Sequence, residues 1–210
     1  MSSTDRDLTA RAIIRNAALR LFADRGPESV TLREVAAEAD VSAALVVHHY
    51  GGKEGLRSAV DEYAAGMFDE MLAALEQDPG EMLAAGSSSS LSEVFAAAIP
   101  ADSPLPAYLR RMLLAGQGSA LFARWFALTR ALMGRLAEAG FVEATDDPDT
   151  LAAFLLANDL ALILLRPQLI EVLDQDPLSR EGLERWTEVA NGVYRSGVFR
   201  IPDLLPTQED

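Results

Sequence analysis

Residues 31–53 read TLREVAAEADVSAALVVHHYGGK, and this stretch decides how the amino-terminal part of the chain folds. Thr31 and Glu34 have the spacing of a capping box, which predicts a short helix starting at this point. Ser42 is placed to cap a second short helix, expected to end near Tyr50 before two glycines. The sequence therefore predicts two short helices separated by a tight turn.

The apolar residues of this stretch lie on faces that can pack together. One face of the first helix is followed by two further apolar positions, and the whole set is Leu32, Val35, Ala36, Ala39, Val41 and Leu45. Small side chains on the first helix let the second cross it closely. This layout is typical of a helix-turn-helix, whose second helix enters the major groove of DNA. Helix corners in other bundles have a similar spacing, so spacing alone leaves both interpretations open.

The rest of the chain also has a helical pattern, because Ala and Leu are abundant and alternating β-branched runs are scarce. Helices are expected over approximately residues 9–24, 53–76, 91–99, 103–116, 119–139, 147–165 and 179–195. Residues 77–90 form the loosest stretch, and Arg166-Pro167 should kink or end the helix before it. The fold class predicted is all-α.

Composition excludes several classes of protein. The 210 residues have no Cys and two His, which excludes a disulfide framework, a thiolate nucleophile and a Cys-bound zinc site. His48 and His49 point about 100° apart on a helix and do not converge on a metal, so no metal and no cofactor are expected. The amino terminus lacks the apolar stretch of a signal peptide, and the apolar residues 151–165 are too few for a membrane span. We expect a soluble, cytoplasmic protein.

Charge is unevenly distributed along the chain. Residues 1–60 carry eight basic and eight acidic side chains, which cancel, while residues 61–210 account for the whole net charge of -14. The neutral part can approach a polyanion that the acidic part would repel. Chance drift of surface charge is the alternative explanation.

Two stretches, AALRLFADRGPESVTLREVAAEADVS (17–42) and HHYGGKEGLR (48–57), resemble the tetracycline-repressor (TetR) family of bacterial regulators. The resemblance covers about residues 9–66. It implies an all-helical homodimer with an amino-terminal three-helix DNA-binding domain and a carboxy-terminal domain that binds a small effector and dimerises. On this basis the DNA-binding domain is expected at 1–52, the effector and dimerisation domain at 53–204, and an irregular tail at 205–210.

The resemblance also implies which residues meet DNA. Positions used for DNA contact or for capping in the family are occupied by Thr31, Arg33, Ser42, His48 and Lys53, and Tyr50 matches an aromatic residue that packs under the recognition helix. This sequence departs from the family where a Lys and a Tyr are usual, since it has Ala43 and Val47. Together with Ala44 and Val46 they form an apolar recognition helix suited to thymine-methyl contacts. Readout of DNA shape is then expected to contribute.

An effector pocket is expected between the fourth helix and the helices near 91–139. Its candidate residues are large and apolar, with two polar residues from the most apolar helix: Tyr63, Met67, Phe68, Phe95, Tyr108, Met112, Phe122, Trp125, Phe126, Met133, Asn158 and Asp159. The alternative is that the apolar members are ordinary core, and that the two polar ones serve the dimer contact or a neighbouring Arg.

A dimer interface is expected on the two carboxy-terminal helices, as the resemblance implies. The candidates are Phe154, Leu155, Leu162, Leu183, Trp186, Val189, Ala190 and Val193. The alternative is that both helices cover the core of a single chain.

The function expected is therefore a DNA-binding transcriptional regulator, a repressor that a small, largely apolar ligand releases from a palindromic operator. Double-stranded DNA, a second copy of the chain and the effector are its expected partners, and no membrane is. Two alternatives remain: an adaptor that uses a helix-turn-helix shape to bind protein, and an all-α enzyme acting on an apolar substrate. No nucleophile–base arrangement or glycine-rich phosphate loop favours the enzyme.

Overall fold

The computed structural model describes residues 3–77, 102–116, 118–140, 142–143 and 145–196. Within these residues the chain is helical and contains no β-strand, which confirms the all-α fold class. The helices are α1 (Ser3–Arg25), α2 (Leu32–Glu38), α3 (Ala43–Tyr50), α4 (Lys53–Gln77), α5 (Leu105–Leu114), α6 (Ser119–Glu138), α7 (Pro148–Leu164), α8 (Arg166–Leu173) and α9 (Arg180–Ser196). The expected helix at 91–99, most of the loose stretch 77–90 and the tail 205–210 lie outside the described residues.

Helix α1 is longer than its sequence pattern predicts. It begins at Ser3, so Thr9 lies inside the helix and does not cap it. Gly26 ends the helix with a φ of 81°, in the left-handed region that favours glycine.

The capping residues of the two short helices behave as the sequence predicts. The backbone N–H of Glu34 donates to Thr31 Oγ1, and the Glu34 carboxylate accepts from the Thr31 backbone N–H at 2.7 Å, which completes the capping box of α2. The N–H of Leu45 donates to Ser42 Oγ at 3.2 Å at the start of α3. These bonds satisfy N–H groups that a helix start leaves without partners.

The apolar segment around residue 165 is two helices. Helix α7 ends at Leu164, and α8 begins at once with Pro167 in its first turn, where a missing N–H costs nothing. The axes of α7 and α8 differ by 74°. Among the described residues, no helix taken singly has the length and apolarity to cross a membrane, although this bent pair passes that test by length and composition.

One hydrophobic core connects the amino-terminal and carboxy-terminal helices. Helix α1 buries Ile14, Ala17, Ala18 and Phe22 and packs against α2, α4 and α5. Helix α7 packs against α5 and α6, and Trp125 of α6 is fully buried. Because α1 and α5 are in direct contact, the helix-turn-helix rests on the carboxy-terminal helices as well as on α4.

Tyr50 holds the end of α3 against α1. Its hydroxyl donates to the carbonyl oxygen of Arg11 at 2.6 Å, and the Arg11 guanidinium lies 5.3 Å from the centre of the Tyr50 ring. Burial raises the pKa of the Tyr50 hydroxyl, against the smaller opposing effect of Arg11. The orientation of α3 therefore depends on a contact between residues 39 positions apart.

Replacing Tyr50 by Phe should lower the free energy of unfolding by about 1 kcal/mol, because a part-buried hydrogen bond is lost. Urea denaturation measures this change. Tyr63→Phe is the matched control, since no described group hydrogen-bonds the Tyr63 hydroxyl. Equal losses in the two variants would show that the Tyr50–Arg11 bond has no special weight.

Candidate nucleic-acid interface and effector regions

The turn between α2 and α3 orients α3 so that one of its faces is exposed to solvent. Asp40 adopts a left-handed conformation with a φ of 53°, and the N–H of Val41 donates to the carbonyl of Ala36 at 2.9 Å. Asp is among the non-glycine residues that tolerate this conformation best. Backbone hydrogen bonds thus close the turn, and Ser42 caps the amino-terminal end of α3.

Helix α3 has an exposed face and a buried face. Ala44, Val47 and His48 are exposed, and their spacing of three and four residues places them side by side. Val46 is 0% exposed and Tyr50 is 9% exposed on the opposite side. Val46 is therefore corrected from a predicted DNA contact to a core residue, because its position on the helix turns it into the hydrophobic core. Ala43 is partly buried against the core.

Ion pairs between helices explain part of the charge balance of residues 1–60. Arg20 pairs with Glu38 at 3.0 Å, and Arg25 pairs with Glu34 at 2.7 Å, so α1 is joined to α2 twice. The hydrogen bond from the Thr31 backbone lowers the pKa of Glu34 to about 2, with further lowering from the Thr31 hydroxyl and Arg25. The carboxylate therefore stays charged at every pH near neutrality.

Two of the predicted phosphate-contacting cations lie on the surface near α2 and α3. Arg33 is exposed, and no described carboxylate pairs with it. Lys53 donates from Nζ to the carbonyl oxygen of Glu28 at 3.0 Å, beside the Arg57–Glu28 ion pair at 2.9 Å. The partner of Lys53 is a neutral carbonyl, and no carboxylate in the part of the chain that the structure describes pairs with its charge.

The predicted effector residues are distributed through the core. Tyr108, Met112 and Trp125 are buried, and Tyr63, Phe126 and Met133 pack against the same core while keeping partial exposure. Phe122 is 40% exposed. The side chains of Met67 and Phe68, and the whole of Phe95, lie outside what the structure describes. Neither of two clefts formed by the described residues is lined by any member of this set.

Tyr108 joins the carboxy-terminal helices to α4. Its hydroxyl donates to Asp61 Oδ1 at 2.5 Å. Burial raises the pKa of Tyr108, and the Asp61 carboxylate raises it further. This bond gives Tyr108 a structural role whether or not an effector contacts it.

Two adjacent polar residues of α7 have different surroundings. Asn158 donates from Nδ2 to the Tyr194 hydroxyl of α9 at 3.0 Å. Asp159 lies on the same helical row as Leu156 and Ile163, which are both buried, and burial raises its pKa to about 7. A carboxyl group in these surroundings is partly protonated near neutral pH.

The predicted dimer residues fall into three groups by their exposure. Phe154, Val189 and Val193 are exposed at 61%, 64% and 37%. Leu155, Trp186 and Ala190 are partly exposed. Leu162 and Leu183 are 4% and 3% exposed in the single chain, so we withdraw them from the surface expected to meet a partner. Their helical positions turn them toward the chain's own core.

Tyr194, Arg110 and Arg111 were not singled out by the sequence analysis. Tyr194 lies near the end of α9, beside the expected dimer residues, and is 48% exposed. The adjacent arginines lie in an otherwise apolar helix, a pattern that is noticeable in the sequence but that does not reveal their partners. Those partners come from α1 and α7, far away in the chain.

Comparison with known proteins decides the family. Residues 14–60 match the family model described as bacterial regulatory proteins, tetR family. The chain is 37% identical over 169 residues to the HTH-type transcriptional regulatory protein RaaS of Mycobacterium tuberculosis, covering 79% of this chain and 74% of RaaS. The chain belongs to the TetR family. It is accordingly a helix-turn-helix, DNA-binding transcriptional regulator, and neither the adaptor nor the enzyme alternative is favoured.

Solved structures of other regulators share this fold. The fatty acid degradation regulator FadR from Bacillus halodurans superposes with a TM-score of 0.67 at 15% identity, covering 90% of this chain and 95% of FadR. SmeT, the repressor of a Stenotrophomonas maltophilia multidrug efflux pump, superposes with a TM-score of 0.64 at 20% identity, covering 91% and 97%. The TetR family consists of regulators that are not normally enzymes.

Asp159→Asn should reduce the pH dependence of stability. The folded pKa of Asp159 is raised from 3.8 to about 7, so its favourable contribution is complete below the unfolded value and is lost as pH rises through 7. We expect the parent to lose about 2 kcal/mol between pH 5 and 8, less than the full shift because the residue keeps some exposure.

Urea denaturation at several pH values measures the effect, with the exposed Asp146→Asn as control. The Asp159 variant should show a flatter profile than both the parent and the control. Identical profiles for all three proteins would contradict a part-buried carboxyl group with a raised pKa at this position.

Proposed function

We propose that this TetR-family protein is a repressor that binds a palindromic operator as a homodimer and is released by a small, largely apolar effector. The observation that supports this most directly is the exposed face of α3, on which Ala44, Val47 and His48 stand side by side and reach solvent. A recognition helix needs such a face, because its side chains must reach base edges in the major groove.

The chemistry of that face suggests how it reads DNA. The methyl groups of Ala44 and Val47 suit contact with thymine methyls, and His48 supplies a polar group for a base edge. Ser42, with the amino-terminal N–H groups of α3, suits a phosphate, as does Thr31 at the start of α2. Ala43 is placed at the edge of the face. Few direct hydrogen bonds to bases are available, so DNA shape should contribute to specificity.

Arg33 and Lys53 are assigned to the phosphate backbone on both sides of α3. Arg33 is exposed with no described carboxylate partner, and Lys53 begins α4 with a charge that contacts a carbonyl and pairs with no described carboxylate. Contacts of this kind add affinity for any sequence and weaken as salt rises. The DNA-binding domain is proposed to span residues 1–52, with α4 at its border.

A dimer is proposed through α7 and α9, in the domain assigned to residues 53–204. Phe154, Val189 and Val193 leave apolar side chains in water that a partner would cover, and Trp186 supplies an adjacent large side chain. Two recognition helices would then reach successive major grooves roughly 34 Å apart.

The effector is proposed to bind among the carboxy-terminal helices, near the core aromatics of α5 and α6 and the polar pair Asn158 and Asp159. The direct bond between Tyr108 and Asp61 connects this region with α4. An effector that favours a different packing of α4 and α5 would change the spacing of the two recognition helices.

A selection from a random duplex library tests the DNA interface. The parent protein should enrich a palindrome with half-sites about one helical turn apart. Ala44→Glu should abolish enrichment, since it places a carboxylate on the face that meets the phosphate-lined groove. The matched control is Ala131→Glu, the same substitution at an exposed site of α6.

Equal enrichment by Ala44→Glu and Ala131→Glu would contradict the assignment of α3 as the recognition helix. Failure of the parent to enrich any sequence at low salt, with and without prior unfolding and refolding to remove a bound effector, would contradict the proposed operator binding.

Val189→Glu should convert the dimer to a monomer, because it places a charge in the apolar contact between partners. Sedimentation velocity measures the change. Val172→Glu is the matched control, since Val172 is 74% exposed on α8, outside the proposed interface. A monomeric parent, or two variants with the same sedimentation, would exclude this surface as the dimer contact.

A further inference from the structure

A cleft lies where α1, α5 and the α7–α8 junction meet. Its volume is about 590 Å³, within the range of small-molecule sites. Much of the wall is apolar, with Leu114 from α5, Ile163 from α7, and Pro167 and Ile170 from α8. This cleft is separate from both the exposed face of α3 and the predicted effector residues.

The polar groups of the cleft are all cationic. Arg110, Arg111 and Arg166 line it, and none of its lining residues is acidic. That composition is unusual in a chain of net charge -14, whose acidic residues are concentrated after residue 60. A cleft lined by one sign of charge attracts ligands of the opposite sign.

Arg110 and Arg111 are held in place by carbonyl oxygens at the ends of two helices. Arg110 donates from Nε to the Leu164 carbonyl at 3.0 Å, at the end of α7. Arg111 donates from Nε to Ala23 at 3.2 Å and from Nη2 to the Asp24 carbonyl at 2.6 Å, at the end of α1. These acceptors are neutral, and no described carboxylate pairs with either guanidinium.

Each guanidinium therefore retains both its charge and unused donors. A guanidinium has five N–H donors, of which these bonds use one in Arg110 and two in Arg111. The third arginine differs, because Arg166 forms a two-bond ion pair with Asp176 at 3.0 and 2.6 Å. Arg110 and Arg111 are thus the cations of the cleft that are available to an incoming anion.

We propose that this cleft binds a small organic anion, whose apolar body lies on the wall formed by α5, α7 and α8 and whose acid group is held by Arg110 and Arg111. Planar guanidinium groups bind carboxylate, sulfonate and phosphate oxygens through paired hydrogen bonds. Fixed donors reduce the ordering cost of binding, because both side chains are already immobilised by helix ends.

This site would give the protein a second ligand besides the proposed effector. The proposal does not depend on the proposed function, because anion binding is measured without DNA. Its position is nevertheless significant for regulation. Arg111 contacts the last turn of α1, the helix that supports α2 and α3.

Two fluorescent probes with related apolar bodies test the proposal. The anion 8-anilinonaphthalene-1-sulfonate and the neutral N-phenyl-1-naphthylamine differ by the acid group. Titration of the whole protein at fixed salt gives the dissociation constant of each probe. The parent should bind the anion at least about tenfold more tightly, the expected scale for one charge-assisted contact.

Ala107→Glu and Ala107→Gln form the matched pair of variants. Ala107 is an exposed lining residue one turn before Arg110 and Arg111, so a glutamate there pairs with the guanidiniums at helical spacing. The Glu variant should bind the anionic probe about tenfold more weakly than the Gln variant. The neutral probe should bind both variants with the same affinity.

Arg110→Gln is the second variant, because it removes a cation while leaving the bonds of Arg111 to α1 intact. It should weaken only the anion, and it serves as the test if Ala107→Glu does not fold. Arg180→Gln, at an exposed site on α9, should change neither probe. Equal anion affinity in the parent, Ala107→Glu and Arg110→Gln, or equal affinity of the parent for both probes, would overturn the proposal.

Discussion

The packing of α1 is the constraint on which the rest of the structure depends. Its apolar side, with Ile14, Ala17 and Phe22, is shared by the helix-turn-helix, by α4 and by α5. Its carbonyl groups are used from both directions: Tyr50 of α3 donates to Arg11, and Arg111 of α5 donates to the last turn. A shift of α1 therefore changes the position of the recognition helix and the contact with the carboxy-terminal helices together.

Positive charge remains in particular places on the molecule, although the net charge of the chain is -14. Near the recognition helix, acids such as Glu34 and Glu38 are used in ion pairs between helices, and no carboxylate among the described residues pairs with Arg33 or Lys53. Exposed pairs of this kind add little stability, so their main effect is on where positive charge remains. The arginines of the α1–α5 cleft follow the same principle, since carbonyl oxygens fix Arg111 without cancelling its charge.

Local features were predicted well because local physical rules produce them. The capping box of Thr31 and the cap of Ser42 involve residues three positions apart, and both form as expected. The errors concern direction. Val46 and Leu162 are apolar like the residues beside them, so residue type alone does not show which of these side chains is buried. The packing of several helices buries Val46 and Leu162, while Val47 remains exposed. Proline at residue 167 predicts a break but does not predict that a new helix follows it.

The sequence of 210 residues by itself determined the all-helical fold class and the helix-turn-helix near the amino terminus. It also carried the resemblance to the TetR family, and family membership confirms that resemblance. These follow from hydrophobic period, caps and motif spacing, which act over a few residues. The three-dimensional fold supplied the bond between Tyr108 and Asp61, the raised pKa of Asp159 and the cationic cleft of Arg110 and Arg111. Each depends on burial and on partners tens of residues away, so no local pattern encodes it.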